Sequence, residues 1–373
     1  MSAARARLTR LSVRDFRNLE HVELAPAREG FVVVGENGHG KTNLLEAIHY
    51  LEILRSARGA RDQDLVRFGA SGFHIGASVE TDAPHEIGVG FERSGKRKRV
   101  RIDGVVPERL SDALGALPSV MFSPADVELI ASAPSARRRY LDIMLALTSS
   151  SYLRALQAYR AALVRRNAAL RDAARGGRDA AARVAVWEPA LADHGAVLIA
   201  ERRRWVGCVE DRFEERCRSI GEVGRVRLRY SSAVTPEQND ADALRAVLAD
   251  KRALDLRRGM TQAGPHRDDL AITLDGRDLR TFGSAGQQRT AAIVLRMLEA
   301  ETFTERTGRA PLFLLDDPFA ELDARRAARI LELLAGAGLG QTMLAVPRET
   351  EIPAALTSLD RLHIAGGAIT SVR

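Results

Sequence analysis

Cysteine is scarce in this sequence: Cys208 and Cys217 are its only two representatives. They fall in one helical-looking stretch with no CxxC pairing, which argues against a disulfide framework or a thiolate metal cluster. Two free thiols in a reducing compartment are expected instead. No run of eighteen apolar residues occurs, so no membrane span is expected. Met1 to Arg10 is basic but lacks an apolar core, which predicts no secretory signal. Internal repeats and low-complexity tracts are absent as well.

What is present is ordinary in bulk. The 373 residues suffice for one large domain or two smaller ones, and 45% apolar with 28% charged residues is a globular balance. Lys and Arg number 56 against 49 Asp and Glu, a net charge of +7 carried mostly by arginine. Two readings fit that excess. Guanidinium groups engage phosphates in a planar, bidentate fashion, which suits an anionic polymer. A GC-rich genome would enrich arginine without any such partner.

Texture divides the chain into three stretches, 1–124, 125–256 and 257–373. In the first, Leu8 to Val13 alternates, Phe31 to Val34 is an apolar strand, and Leu44, Leu45, Ile48, Leu51 and Leu54 recur at helical spacing. Strands are expected at His74–Val79 and Glu86–Phe91, with a hairpin turn at Ser94-Gly95. The middle stretch reads as nearly all helical. Leu153, Leu156, Tyr159, Leu163 and Leu170 form one stripe, Gly176-Gly177 breaks it, and a second helix runs through Trp187, Leu191 and Leu198. This predicts a helical hairpin with arms of about 25 residues, roughly 40 Å, whose stripe is core packing. Strands return at Leu270–Leu274, Leu312–Leu315 and Thr342–Val346.

Three motifs carry chemistry. Gly35-Glu36-Asn37-Gly38-His39-Gly40-Lys41-Thr42 matches the phosphate loop GxxxxGK[ST], between a buried strand and a helix. Its glycines let backbone N–H groups turn inward around phosphate oxygens, and the helix N-terminus adds its dipole. Lys41 is placed to reach the β- and γ-phosphates of ATP, and Thr42 to hold Mg²⁺. Leu312-Phe313-Leu314-Leu315-Asp316-Asp317 reads as a Walker B strand that delivers carboxylates at its C-terminal end. Asp316 is expected at the metal and Asp317 at the attacking water. Ser284-Ala285-Gly286-Gln287-Gln288, a helix length upstream, has the form of an ABC signature loop. Ser284, Gly286 and Gln287 would touch the γ-phosphate held by an opposing subunit, because signature and phosphate loop of one head face apart. The loop from Pro318 to Asp323 fits a contact between two heads, with Asp323 the expected residue. Taken alone, the Ser284 loop would be read as a Ser/Gly-rich helix cap; its place upstream of the Walker B strand favours the signature.

A phosphate loop near the start and the other two motifs near the end resemble the split head of the SMC-like ABC ATPases. The expected fold is α/β, an ABC-type P-loop head with a mixed sheet and an inserted helical arm. About 240 residues separate Lys41 from Ser284, too few for a long coiled coil. Several runs resemble the RecF family more narrowly: Asp15-Phe16-Arg17-Asn18, Phe122-Ser123-Pro124 with Asp126, Arg137-Arg138-Arg139-Tyr140-Leu141-Asp142, Arg166-Asn167, Gly264 through Leu270, and Gly286 through Thr290. The Gly264–Leu270 run is the most specific, although by itself it reads only as a turn entering a strand. The resemblance implies a bacterial cytoplasmic protein that binds DNA and dimerises with ATP. It also implies slow hydrolysis and work beside RecR and RecO at gapped DNA, where recombinase is loaded. Two departures from ordinary ABC heads stand out. Asp317 replaces their Glu, as in RecF-like chains, and fits slow turnover. The strand ending Ala345-Val346-Pro347 lacks their His, which leaves the γ-phosphate sensor unassigned.

The run Lys96-Arg97-Lys98-Arg99, followed by Arg101, lies on the expected hairpin. It reads either as a sequence-independent phosphate contact or as a solvated edge strand whose charges deter aggregation. Arg137–Arg139 and Arg202–Arg204 are weaker candidates, since helical triplets spread over several faces. A structural, chromosome-tethering SMC-like protein and a transporter ATPase subunit are the competing functions. The short insertion counts against the first and the split head against the second.

Overall fold

Strand Arg7–Phe16 buries Leu8, Leu11, Val13 and Phe16 and exposes Arg10 and Arg14. That is the two-residue period of a sheet with one wet face. It belongs to a five-stranded antiparallel sheet in the order Leu19–Leu24, Arg7–Phe16, Gly72–Glu80, Pro84–Glu92, Arg97–Ile102. The expected strands and the turn at Ser94-Gly95 are all in place. A six-stranded sheet has the opposite character. Gly30–Val34, Ser119–Phe122, Leu312–Asp316 and Thr342–Val346 are buried at every position, as parallel strands covered on both faces must be. Its order is Ala368–Val372, Asp360–Ala365, Gly30–Val34, Thr342–Val346, Leu312–Asp316, Ser119–Phe122. All neighbours are parallel except the first pair, an antiparallel hairpin. Helix Lys41–Ile53 places Leu44, Leu45, Ile48 and Leu51 in one core with Phe16, Phe73 and Leu314.

This computed structural model describes residues 4–173, 180–235, 240–319, 322–336 and 340–372. The expected break at Gly176-Gly177 lies outside them. By contacts, Met1–Asp126 with Leu295–Arg373 forms one unit and Val127–Val294 a second. Both sheets just described belong to the first unit.

The second unit contains helices Pro134–Thr148, Ser150–Ala173, Glu188–Ile220 and Asp240–Arg258. At 33 residues, Glu188–Ile220 is about 50 Å long. Leu156, Tyr159 and Leu170 of the stripe are buried, whereas Leu153 and Leu163 are half-buried. One expectation fails here, because the middle stretch is not helical throughout. Val226–Ser231 is a strand, paired antiparallel with Asp269–Leu274 on the far side of residue 256. Val226 and Leu228 face inward, and the arginines between them hide the alternation.

Buried ion pairs tie this unit together. Arg166, fully buried, donates to Asp255 at 2.7 Å, Glu188 at 3.0 Å and the Thr261 hydroxyl at 2.8 Å. Asn167 beside it accepts from the Thr261 N–H and hydroxyl. Arg202 donates to Asp142 at 2.7 Å, the Tyr152 oxygen at 2.9 Å and the Pro265 carbonyl at 2.7 Å. Asp268 accepts from Tyr230, and Asp269 receives Arg137 bidentately at 2.9 Å for each bond. The Gly264–Leu270 run therefore acts as a latch. Its side chains and carbonyls close onto helices and a strand far away in sequence. Gly264 has φ of +122°, and a Cβ there would stand 2.6 Å from the Tyr159 oxygen, so only glycine fits.

His266 completes the latch. Its Nε2 lies 3.2 Å from the Thr261 carbonyl, which can only accept, so Nε2 donates and Nδ1 accepts from the Tyr159 hydroxyl at 2.6 Å. Burial pushes its pKa down to about 4, and Arg267, Arg138 and Arg166 add to the effect. The unfolded chain takes up this proton below about pH 6.5, while the fold resists it down to about 4. Stability should therefore fall as pH drops across that window, by up to about 3 kcal/mol from this residue. Thermal unfolding between pH 7 and 4.5 should decline less steeply for His266→Gln than for the parent. Parallel pH profiles would show that His266 is not held neutral.

Candidate functional site

The phosphate loop follows strand Gly30–Val34 and enters helix Lys41–Ile53. Gly40, just before the helix, has φ of +114°, and a Cβ there would meet the Asn18 amide at 3.0 Å. Lys41 is buried, and its ammonium donates to the carbonyls of Gly35 and, at 2.9 Å, Glu36, with Asn37 Oδ1 at 3.5 Å. Burial lowers its pKa, opposed by the charges of Asp316, Asp317 and Glu351. Thr42 donates its hydroxyl to Asp316 Oδ1 at 3.0 Å. The structure thus joins Lys41, Thr42 and Asp316 at the C-terminal ends of two parallel strands.

Burial pushes Asp316 up to about 6. The Thr42 hydrogen bond and Lys41 work against this shift, and Asp317 works with it. A carboxylate this short of solvation, next to a hydroxyl, fits a hard divalent cation such as Mg²⁺, which takes oxygen ligands and keeps several waters. Asp317 turns away from the strand with φ of +44°, and its N–H donates to the Ala345 carbonyl at 2.9 Å. The Val346 carbonyl accepts from Gly35 N–H at 3.4 Å. The strand ending at Pro347 therefore fastens both the phosphate loop and the Walker B exit through its backbone.

Several supports were not legible as site residues. Arg17 grips fully buried Glu46 with two bonds, at 3.1 and 3.2 Å, and Glu46 also accepts from Ser56. Arg58 donates to Asn43, Asn43 to Asn18, and Asn18 to the Gly38 carbonyl. The Asp15–Asn18 turn, with positive φ at Asp15 and Arg17, is thus an outer brace for the phosphate loop. The loop also meets the C-terminal hairpin. Gly367 N–H donates to the His39 carbonyl at 2.9 Å, and Gly366 N–H to His39 Nδ1 at 3.2 Å. His49, Glu52 and Ser119 form a buried hydrogen-bonded trio that pins helix Lys41–Ile53 to strand Ser119–Phe122. Of these supports only the Asp15–Asn18 run gave any sequence signal, and then only by resemblance.

The Ser284 loop, which belongs to the second unit, begins helix Ala285–Thr307. Ser284 Oγ accepts from the Gln287 N–H at 3.3 Å, and Gln287 Oε1 accepts from the Ser284 N–H at 2.9 Å. This is a reciprocal capping box. Gln288 holds the preceding turn through the Leu279, Arg280 and Gly283 carbonyls. Ser284 and Ala285 remain exposed, and Phe282 beside them is 67% exposed. Asp323 accepts from the Arg326 N–H at 2.9 Å and is otherwise exposed. Residues 320 and 321 of its loop lie outside the described residues.

The basic run divides by strand alternation. Lys96, Arg97 and Arg99 are exposed. Lys98 turns in, pairs with Asp62 at 2.8 Å, donates to the Leu54 carbonyl and sits 5.1 Å from the Tyr50 ring centroid. The arginine triplets need correction. Arg137 and Arg202 are buried ion-pair partners of Asp269 and Asp142 and do not face solvent. Among the described residues no helix is long and apolar enough to cross a membrane.

Comparison with known proteins agrees with this geometry. The family described as "RecF/RecN/SMC N terminal domain" matches residues 7–352. The chain is similar to the DNA replication and repair protein RecF of Herpetosiphon aurantiacus, 34% identical over 97% of this chain and 99% of that one. It is 38% identical to RecF of Chloroflexus aggregans, over 87% and 89% of the two chains. Among solved structures, the recombination mediator protein RecF-ATP in the RecFOR pathway superposes with a TM-score of 0.91 at 28% identity, over 100% of this chain and 99% of that one. An Smc head domain from Pyrococcus furiosus, at 16% identity and a TM-score of 0.56 over 98% and 96% of the chains, shares the fold.

Removing the hub of the brace tests its reach. Glu46→Ala should cost about 3 kcal/mol, because it strands Arg17 against a buried surface. It should also weaken binding of a fluorescent ATP analogue, although Glu46 touches no part of the loop directly. Unchanged analogue affinity in the folded variant would reduce the brace to scaffold.

Proposed function

The chain belongs to the RecF family, and we propose that it acts as an ATP-driven, DNA-binding switch in replication and recombinational repair. The observation that carries this reading is the eight-residue phosphate loop Gly35–Thr42 with Lys41 buried at its end and the Thr42 hydroxyl donating at 3.0 Å to Asp316 of strand Leu312–Asp316. Lys41, which donates to loop carbonyls here, would turn to the β- and γ-phosphates, and backbone N–H groups of the loop would cradle their oxygens. Thr42 and Asp316 would hold Mg²⁺, whose chemistry is to neutralise charge developing across the β- and γ-phosphates. Asp317 positions the water that attacks the γ-phosphorus, and the short carboxylate suits slow turnover. Hydrolysis then ends one state of the switch.

An exposed, rigidly capped Ser284 loop beside exposed Phe282 supports a head that is completed by a second copy. ATP held between the phosphate loop of one copy and Ser284, Gly286 and Gln287 of its partner favours the dimer over the monomer. A ligand shifts an equilibrium only by its differential affinity for the two states. The dimer binds DNA without base preference, at gaps, beside RecR and RecO in the cytoplasm, and there aids recombinase loading. A chromosome-tethering role is not favoured, since the longest described helix has 33 residues.

Asp317→Asn should retain ATP binding and the ATP-dependent dimer while turnover drops by about 100-fold, read as phosphate release. Equal turnover would remove Asp317 from the attacking water. Ser284→Arg should abolish the ATP-dependent dimer in light scattering and leave monomeric ATP affinity nearly intact. A dimer that persists in that variant, or mass that is identical with and without ATP in the parent, would overturn the switch.

A further inference from the structure

Where the two sheets of the first unit bring their ends together lies a hollow of about 650 Å³, a size common among small-molecule sites. Arg7 begins one strand of the antiparallel sheet and Glu80 ends its neighbour, and both line the hollow. Glu29, just before strand Gly30–Val34, and Thr342, the first residue of the next parallel strand, line it from the other sheet. Thr342 N–H donates to the Glu29 carbonyl at 2.9 Å. Gln341 rivets the two sheets, donating to the Leu8 and Ala27 carbonyls and accepting from the Leu8 N–H. The phosphate loop leaves the opposite end of the five-residue strand Gly30–Val34, about 17 Å away. The hollow is therefore separate from the ATP site.

Two polar atoms of its lining residues lack partners. Arg7 Nε and the Thr81 hydroxyl are buried, and neither makes a hydrogen bond within the protein. Buried polar atoms are nearly always paired, so two orphans at one hollow point to a ligand that supplies their partners. The charges agree. Arg5 and Arg28 are exposed at the same hollow, and among the described residues no carboxylate pairs with either. Of the carboxylates nearby, Glu80 is held by Arg7 at 3.2 Å and Asp82 by Arg309 at 2.8 Å. Glu29 lines the hollow and, among the described residues, has no cationic partner. Three guanidinium groups suit a phosphate monoester. A carboxylate beside them suits the hydroxyls of a ribose, which donate to it. Leu356 and Leu359 add an apolar wall, the surface that the face of a base would cover.

We propose that this hollow is a second small-molecule site, which takes a ribose phosphate, free or as a ribonucleoside monophosphate. Arg5, Arg7 and Arg28 hold the phosphate, and Glu29 and the Thr81 hydroxyl bind the sugar. The ligand would grip the roots of the two strands whose far ends fasten the phosphate loop, through Gly35 and the Val346 carbonyl.

The test is calorimetric titration of the full chain, with saturating ATPγS and Mg²⁺ to fill the phosphate loop. The titrants are ribose 5-phosphate, AMP, GMP, CMP, UMP and inorganic phosphate. Ribose 5-phosphate or at least one nucleotide should bind about tenfold or more tightly than inorganic phosphate. A nucleotide that outbinds ribose 5-phosphate assigns the site to nucleotides and the apolar wall to the base; equal affinities assign it to the sugar phosphate. Arg5→Ala with Arg28→Ala should weaken that binding about tenfold, and Thr81→Val about threefold. Removal of an unpaired buried hydroxyl should leave the melting temperature of Thr81→Val unchanged or raised, so its loss of ligand would not reflect unfolding. ATPγS affinity should stay at the parent's value in both variants. No binding beyond that of inorganic phosphate at millimolar concentration would overturn the site. Binding that both folded variants retain in full would overturn it as well, because the ligand would then lie elsewhere.

Discussion

The bond between the Thr42 hydroxyl and the Asp316 carboxylate joins residues 274 positions apart. Much of the first unit follows from the need to make that bond. A loop from one end of the chain and a strand from the other must arrive at the same edge of one sheet. The strands that do this are buried on both faces, and hydrophobic burial of Val32, Val33, Leu314, Leu315 and Leu344 provides the driving force. The price is a desolvated carboxylate at Asp316. That destabilising feature is the one the proposed function would use, because such a group gains most from a cation.

Where local pattern was sufficient, the sequence was readable. The apolar runs at 31–34, 312–315 and 342–346, and the alternation at 74–79 and 86–91, announce strands without outside help. So does the phosphate loop, whose spacing encodes its geometry. The features that escaped depend on partners distant in sequence. Val226–Ser231 is a strand because Asp269–Leu274 pairs with it, and its arginines mask the period. The Gly264–Leu270 run has no local meaning, since its partners include Arg137, Tyr159, Arg202 and Tyr230. Arginine count misleads in the same way. Arg166 and Arg202 are among the most deeply buried side chains of the protein, and charge alone cannot tell a core guanidinium from a surface one. The Ser284 loop could be read as cap or as signature, and its hydrogen bonds make it a cap that still presents its serine outward.

The second unit threads buried ion pairs through a core that also holds Leu141, Leu145, Leu191, Leu198 and Leu244. Buried pairs of this kind are costly to assemble and severe to break, and replacing them by apolar residues is often neutral or stabilising. Their directional bonds, however, allow fewer arrangements than apolar contact does. Asp142 alone collects Arg202, Tyr152 and Arg160. The unit is thereby fixed in register, which suits the proposed dimer, in which it would present the Ser284 loop to a second copy.

The placement of strand Gly30–Val34 bears on how the protein is made. Both of its neighbours, Thr342–Val346 and Asp360–Ala365, leave the ribosome long after it does. Throughout synthesis the nascent chain carries an apolar strand with two open edges, a template for pairing with other chains. The phosphate loop is equally premature, for the hairpin turn that holds His39 arrives later still. Nucleotide binding is therefore a late event in the life of each molecule. A polypeptide stalled in translation before the last strands would hold the loop sequence in full and have no folded pocket around it.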